Sequence, residues 1–179
     1  MNDTPEDHST NKIAGKMFFA MWLILIALLS YLFSIILDNQ NNPNKNPSST
    51  ILDNNVKELK LMRNRQGHYV SNGQINNQNV TFMLDTGATD VSVPADIASK
   101  LGLVKGDAMT YLTANGNAVV YATRLRSISI KDIKLENIRA TINPNTSDST
   151  ILLGMSFLKH IEFSQNGNIL TLRQYGNSL

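Results

Sequence analysis

Apolar residues are arranged along the chain in two patterns that demand different surroundings. Residues 17–37 form an unbroken run of 21 without a charge, 19 of them apolar. A helix rising 1.5 Å per residue needs about 20 such residues to cross roughly 30 Å of hydrocarbon, so this run predicts a single membrane-spanning helix. From about residue 57 the pattern changes to short runs in which apolar and polar positions alternate. Period-two alternation is the signature of half-buried strands, and the runs are punctuated by turn residues.

The predicted strands follow one another closely. Residues 68–71 lead into Asn72-Gly73, a dipeptide suited to the positive φ angles of a tight hairpin. Val80, Phe82 and Leu84 share one face of the next run, which ends in Asp85-Thr86-Gly87, and residues 91–93 form another. Pro94 opens a predicted helix, PADIASKL, with Gly102 just past its end. Residues 109–113 and 118–125 flank Asn115-Gly116, the strongest hairpin signal in the chain. Runs at 127–130, 137–142, 151–153, 162–164 and 169–172 complete the strands, with a short helix predicted over 155–160 and a turn at Asn166-Gly167. The expected fold is a small all-β, closed barrel-like domain with one or two short helices, preceded by the single transmembrane helix.

Between the two regions, 38–56 is rich in Asn, Pro and Ser and without period, which predicts a flexible linker spanning on the order of 25 Å. The expected layout is a tail over 1–16, the anchor over 17–37, the linker over 38–56 and one folded domain over 57–179. A cleavable signal sequence fits less well, because its apolar core is roughly 7–15 residues and no small-x-small site follows Leu37. Lys12 and Lys16 precede the span and Lys45 follows it, so positive-inside counting favours a cytoplasmic N-terminus and a domain on the far side, periplasmic in a bacterial inner membrane. Ser30 and Ser34 form a small-xxx-small pair of the kind that lets two such helices approach.

Composition sharpens this picture. The chain is 42% apolar overall, but without the membrane run only 56 of 158 residues are, about 35%, against about 45–50% for globular chains with Gly counted. So lean a domain is expected to bury more apolar surface by pairing with a second copy. The absence of cysteine excludes disulfide-stapled and zinc-thiolate classes and fits an oxidising compartment. Residues 1–56 carry net −2 and residues 57–179 net +4. That excess comes without aromatic-basic clustering, so no nucleic-acid partner is expected. His8, His68 and His160 share no ligand spacing, so neither a metal nor another cofactor is expected.

The candidate chemistry lies in FMLDTGATDVSV, residues 82–93. Asp-Thr-Gly alone is compatible with an ordinary capped turn. Apolar runs on both sides, however, place Asp85 where a polar group is costly unless satisfied, and a carboxylate at a strand end against a core is a way to tune its acidity. Asp90 lies nearby and is expected to be a loop or substrate-rim residue rather than a catalytic one.

These residues resemble the retropepsin-like aspartic proteases. Asp85-Thr86-Gly87-Ala88-Thr89 is similar to the family's catalytic loop. The hairpin with Thr113, Ala114, Asn115 and Gly116 at its tip falls where the family has its flap. Leu152-Leu153-Gly154, followed by a short helix, resembles the element that supports the catalytic loop. The strings TANG and LLGMSFL resemble the bacterial, membrane-anchored branch, and the resemblance covers roughly residues 57–175. It implies the retropepsin fold and an aspartic endopeptidase acting on protein or peptide substrates. Asp85, Thr86 and Gly87 would be catalytic, with Ala88, Leu153, Gly154 and the flap residues 113–116 supporting the loop and substrate.

Such chemistry needs two carboxyl groups sharing one proton, one activating water as a general base and the other polarising the peptide carbonyl. This chain holds one Asp-Thr-Gly and no second copy after Gly154, so the resemblance implies a homodimer contributing one Asp85 from each protomer. Thr86 would link the two loops, and Gly87 would let the backbones approach. Ala88 cannot donate the side-chain hydrogen bond that Ser or Thr supplies in pepsin-like relatives, so an optimum closer to neutral pH is expected. The alternative is a catalytically silent dimerisation or peptide-binding module of the same fold, a less economical account of an intact Asp-Thr-Gly.

Overall fold

The computed structural model describes residues 8–113, 116–146 and 148–176. It divides into two units, Met1–Gln40 and Asn41–Leu179. The first is dominated by helix α1 (His8–Asn41), within which Gly15–Asn41 is long and apolar enough to cross a membrane. At 1.5 Å per residue those 27 residues reach about 40 Å. The helix extends beyond the predicted run at both ends.

The second unit is mostly β. Its strands are β1 (Ser49–Leu52), β2 (Val56–Met62), β3 (Val70–Ile75), β4 (Gln78–Leu84), β5 (Val91–Pro94), β6 (Ala108–Thr113), β7 (Gly116–Ile130), β8 (Ile133–Asn143), β9 (Thr150–Leu153), β10 (Glu162–Asn166) and β11 (Ile169–Gln174). Two short helices interrupt them, α2 (Ala95–Lys100) and α3 (Met155–Leu158). One sheet runs β1-β2-β11-β10 and the other β3-β4-β9-β5-β8-β7-β6. In the larger sheet Gln74 and Ile75 also pair with Ser129 and Ile128, joining β3 back to β7. Six strands thus return on themselves in a barrel-like ring, as the alternating sequence predicts, with β6 outside it.

Alternation decides what the ring encloses. Phe82, Val91, Val93, Leu125, Ile128, Ile130, Ile133, Ile142, Ile151, Leu153 and Phe157 are fully buried, and Leu59, Leu61 and Leu172 carry the same core beneath the smaller sheet. Fully burying each such side chain contributes about 1.5–3 kcal/mol.

Two expectations are corrected. Asn72-Gly73 is not a turn but lies within β3, because the hairpin turns at Asn76 and Asn77, with φ of 51° and 67°. A Cβ on Gly73 would sit 2.3 Å from the Ser129 carbonyl oxygen and 2.6 Å from the Phe82 ring. Glycine there serves close approach, not reversal. The stretch 38–56 is also not a structureless linker. It contains β1 and a 3-10 turn (Asp53–Asn55), and Asn42 and Asn44 are buried. The Asn44 amide donates to the carbonyls of Met62 (2.9 Å) and Val70 (2.7 Å) and accepts from the Met62 N–H (2.6 Å). Asparagines that look like linker in composition act here as side chains that complete a ladder.

Candidate active site

Two parallel strands carry the site. β4 pairs with β9, placing Phe82 beside Ile151 and Leu84 beside Leu153. Beyond the pair, the Asp85 N–H donates to the Leu153 carbonyl (3.2 Å), so the ladder holds the first residue of the loop. The loop then closes on itself. The Gly87 N–H donates to Asp85 Oδ1 (2.9 Å) and the Ala88 N–H to the Asp85 carbonyl (3.2 Å). Among the described residues no group bonds to the other Asp85 carboxylate oxygen. Asp85 is half-buried, whereas Thr86 and Gly87 are exposed in the single chain.

Leu153-Gly154 and α3 support this loop. The backbone of Gly154 is extended (φ −87°, ψ −172°), so no left-handed angle requires glycine. Space does: a Cβ would stand 2.3 Å from the Asp90 carbonyl oxygen and 2.6 Å from that of Ala88. The next two N–H groups satisfy the loop, Met155 donating to the Ala88 carbonyl (2.8 Å) and Ser156 to that of Thr89 (2.9 Å). The buried Ser156 hydroxyl accepts from the Val91 N–H (2.9 Å) and donates to the Arg139 carbonyl (2.8 Å).

Asp90 is not at the rim. It is 2% exposed, and both carboxylate oxygens are occupied. Arg139 Nε donates to Oδ1 (2.7 Å), and the Tyr111 hydroxyl of β6 donates to Oδ2. A buried carboxylate is retained only when paired and hydrogen-bonded, and this one ties the loop to both β8 and β6. Asp90 in turn raises the Arg139 pKa. Burial, and then the bond to Asp90, raise the Tyr111 pKa above its ordinary 10.0. Sequence reasoning missed this contact, because its three members lie 21 and 49 residues apart. The one local signal was a charged residue between Thr89 and the apolar Val91.

A cleft of about 540 Å³ opens over the loop, lined among others by Asp85, Gly87, Ala88, Tyr111, Leu112 and Val120. The structure therefore brings Asp85, Gly87 and Ala88 together under the β6–β7 hairpin, with Leu153 and Gly154 behind them. Thr86 lies on the exposed side of the same loop. Thr113 and Gly116 pair at the hairpin's end, where Gly116 has φ of 100°. Ala114 and Asn115 lie outside the described residues. Among the described residues no group of three or more His, Cys, Asp or Glu could hold a metal ion.

The sequence model of the family described as "gag-polyprotein putative aspartyl protease" matches residues 71–160, half of the chain, from β3 past α3. The chain belongs to the retropepsin-like aspartic protease family. A crystal structure of a retropepsin-like aspartic protease from Rickettsia conorii superposes with a TM-score of 0.58 at 34% identity, covering 72% of this chain and 95% of that one. Among curated sequences, an uncharacterised protein from the cobV 5′ region of Sinorhizobium sp. is 30% identical over 165 residues, 84% of this chain and 70% of that protein. An uncharacterised protein of Rickettsia prowazekii (strain Madrid E) is 34% identical over 110 residues, and the chain spans about half of its length (47%). As a member of the retropepsin-like family, this chain carries one Asp-Thr-Gly loop and one Leu-Leu-Gly support.

Proposed function

We propose that this chain is a membrane-tethered aspartic endopeptidase that works as a homodimer. The observation carrying this reading is the treatment of Asp85. The carboxylate stands at a strand end with one oxygen engaged by a backbone N–H, beside a cleft and on a loop whose Thr86 and Gly87 are exposed. Half a dyad on an uncovered loop is what a symmetric partner would complete.

In the dimer two Asp85 carboxyls face each other across the two-fold axis, and one proton is shared between them. The ionised member takes a proton from a bound water as it attacks the peptide carbonyl. The protonated member gives its proton to the carbonyl oxygen. As the C–N bond breaks, the first member passes the proton it took from water to the leaving amine, and the re-forming carbonyl returns the other proton to the dyad. Thr86 side chains connect the two loops, Gly87 permits their approach, and residues 113–116 close over the extended substrate and exclude water. Ala88, Leu153 and Gly154 hold loop and substrate in register. Helix α1 anchors the enzyme, with the Lys12 and Lys16 side cytoplasmic and the catalytic unit periplasmic.

The test is proteolysis by the full chain in membranes, with and without Asp85→Asn. Loss of cleavage with the dimer intact is expected. Unchanged cleavage would refute the mechanism, and an intact dimer that cleaves nothing even with Asp85 would identify a binding module instead.

A further inference from the structure

On the outer side of the β7–β8 pair, Arg124 faces Arg139 in register, and Arg126, two residues further along β7, is exposed and lines the same groove. Like charges directly opposite each other destabilise a sheet. Asp90 offsets the charge of Arg139. Among the described residues Arg124 is held by neutral groups, donating to the carbonyl and side-chain oxygens of Asn137 at 3.1 Å each. Among the described residues Arg126 makes no ion pair, although it is exposed.

The three arginines line a groove of about 620 Å³ that the segment after α2 also lines with Leu101, Leu103 and Val104. Val104 is 80% exposed at the edge of the groove. Asp107 is the single acid lining it. Lys159 and His160 border an adjoining hollow that also contains Arg124 and Arg139.

We infer that this groove binds an acidic stretch of the protein substrate, one that also carries an apolar residue, at a distance from the scissile bond. This rests on the peptidase reading above. Forked guanidinium donors match carboxylates, and the Val104 rim matches an apolar side chain between them. Its place beside the cleft favours a peptide over a bilayer surface. The groove and the cleft also share a wall: Asp90 lines the cleft, its partner Arg139 lines the groove, and they are 2.7 Å apart.

The test uses the full chain in detergent carrying Asp85→Asn, so that bound peptide is not cut. Fluorescence anisotropy follows a labelled Glu–Leu repeat peptide and its Gln–Leu counterpart. The Glu peptide should bind, the Gln peptide should bind at least about tenfold more weakly, and Arg126→Glu should weaken the Glu peptide by about the same factor, with both differences shrinking at high salt. Arg126 has no ion pair to lose among the described residues, and unchanged thermal unfolding establishes that the variant folds. Arg124→Gln provides a second, milder variant.

Equal binding of the two peptides, no binding of either, or indifference to both arginine substitutions overturns the inference. So does Arg126-dependent binding that occurs only on phosphatidylglycerol vesicles, which would assign the groove to lipid. Cleavage by the chain with Asp85 intact separates this inference from the peptidase reading. Arg126-dependent binding without cleavage keeps the groove as an acidic-peptide site and removes the reading. Equal cleavage of both peptides with no dependence on Arg126 does the reverse.

Discussion

Tyr111→Phe removes one hydrogen bond and leaves the ring in place. The lost bond ends on Oδ2 of Asp90, a carboxylate that is 2% exposed and whose other oxygen is held by Arg139. A hydrogen bond to a charged group contributes about 1.5–3 kcal/mol. For a unit of roughly 140 residues, each kcal/mol corresponds to about 3–4 °C, so the melting temperature should fall by roughly 5–12 °C. Activity should fall as well, because Asp90 belongs to the loop that positions Asp85, and small misplacements of a reacting group are costly. A loss in kcat/KM of about tenfold or more is expected. There is also an alkaline signature. The folded Tyr111 pKa lies above its ordinary 10.0, chiefly through burial, so the native state holds its proton more tightly than the unfolded chain does. Its contribution is intact below pH 10 and is lost as pH rises through the raised value, so the stability gap between wild type and Tyr111→Phe should narrow there. Thermal melts across pH, with peptide cleavage at neutral pH, decide the matter. A melting temperature within about 1 °C of wild type would refute the bond's importance. A lower melting temperature with unchanged kcat/KM would confine the bond to stability and detach it from the site.

Gly154→Ala should destabilise by about 1–3 kcal/mol and abolish most activity, since its Cβ cannot fit beside the Asp90 and Ala88 carbonyls without moving the loop; urea unfolding and cleavage assays check both. Glu58 is bonded by Arg173 (2.8 Å), with Lys60 at 3.3 Å, and Arg173 first of all holds its pKa below the ordinary 4.5 against the opposing effect of burial. That contribution is present above pH 4.5 and is lost as pH falls through the lowered value, so the melting-temperature deficit of Arg173→Ala should be largest near neutral pH and shrink in acid. Ala88→Ser places a hydroxyl donor in the catalytic loop and should move the pH–rate optimum downward; an unchanged profile counts against the role given to Ala88. A chain beginning at residue 57 loses β1 and the three Asn44 bonds, so its urea midpoint should be lower by an amount equivalent to roughly 3 kcal/mol than that of a chain beginning at 41.

What was legible in the sequence was what local pattern encodes. Alternation located most strands, Pro94 and Gly102 bracketed α2, and the apolar runs around Asp85 and Leu152-Leu153-Gly154 marked the two halves of the loop's support. What was not legible depends on contacts distant in sequence. Gly73 next to Asn72 has the local form of a turn, and only the approach of Ser129 and Phe82 makes it a strand residue. Asn42 and Asn44 have the composition of a linker, and only their bonds to β2 and β3, Asn44 to Met62 and Val70 and Asn42 to Asn72, make them structural. Arg139 carries no local mark of its link to Asp90, 49 residues away.

The loop holds two acids five residues apart, and composition gives no reason to prefer one over the other. Their surroundings do. Both oxygens of Asp90 are occupied, one by a guanidinium that offsets its charge and one by a phenol, and the residue is 2% exposed. A carboxylate held at both oxygens by β8 and β6 anchors the loop rather than serving as the base for water. Asp85 is bonded through one oxygen to a backbone N–H and is half-buried beside an open cleft. Its other oxygen is thus disposed toward water, substrate or a second carboxyl. One acid stiffens the loop so that the other can be presented at its end. If that division holds, Asp90→Asn should lower stability and activity together, whereas Asp85→Asn should abolish activity at little cost to stability, and the reverse pattern would exchange the two roles.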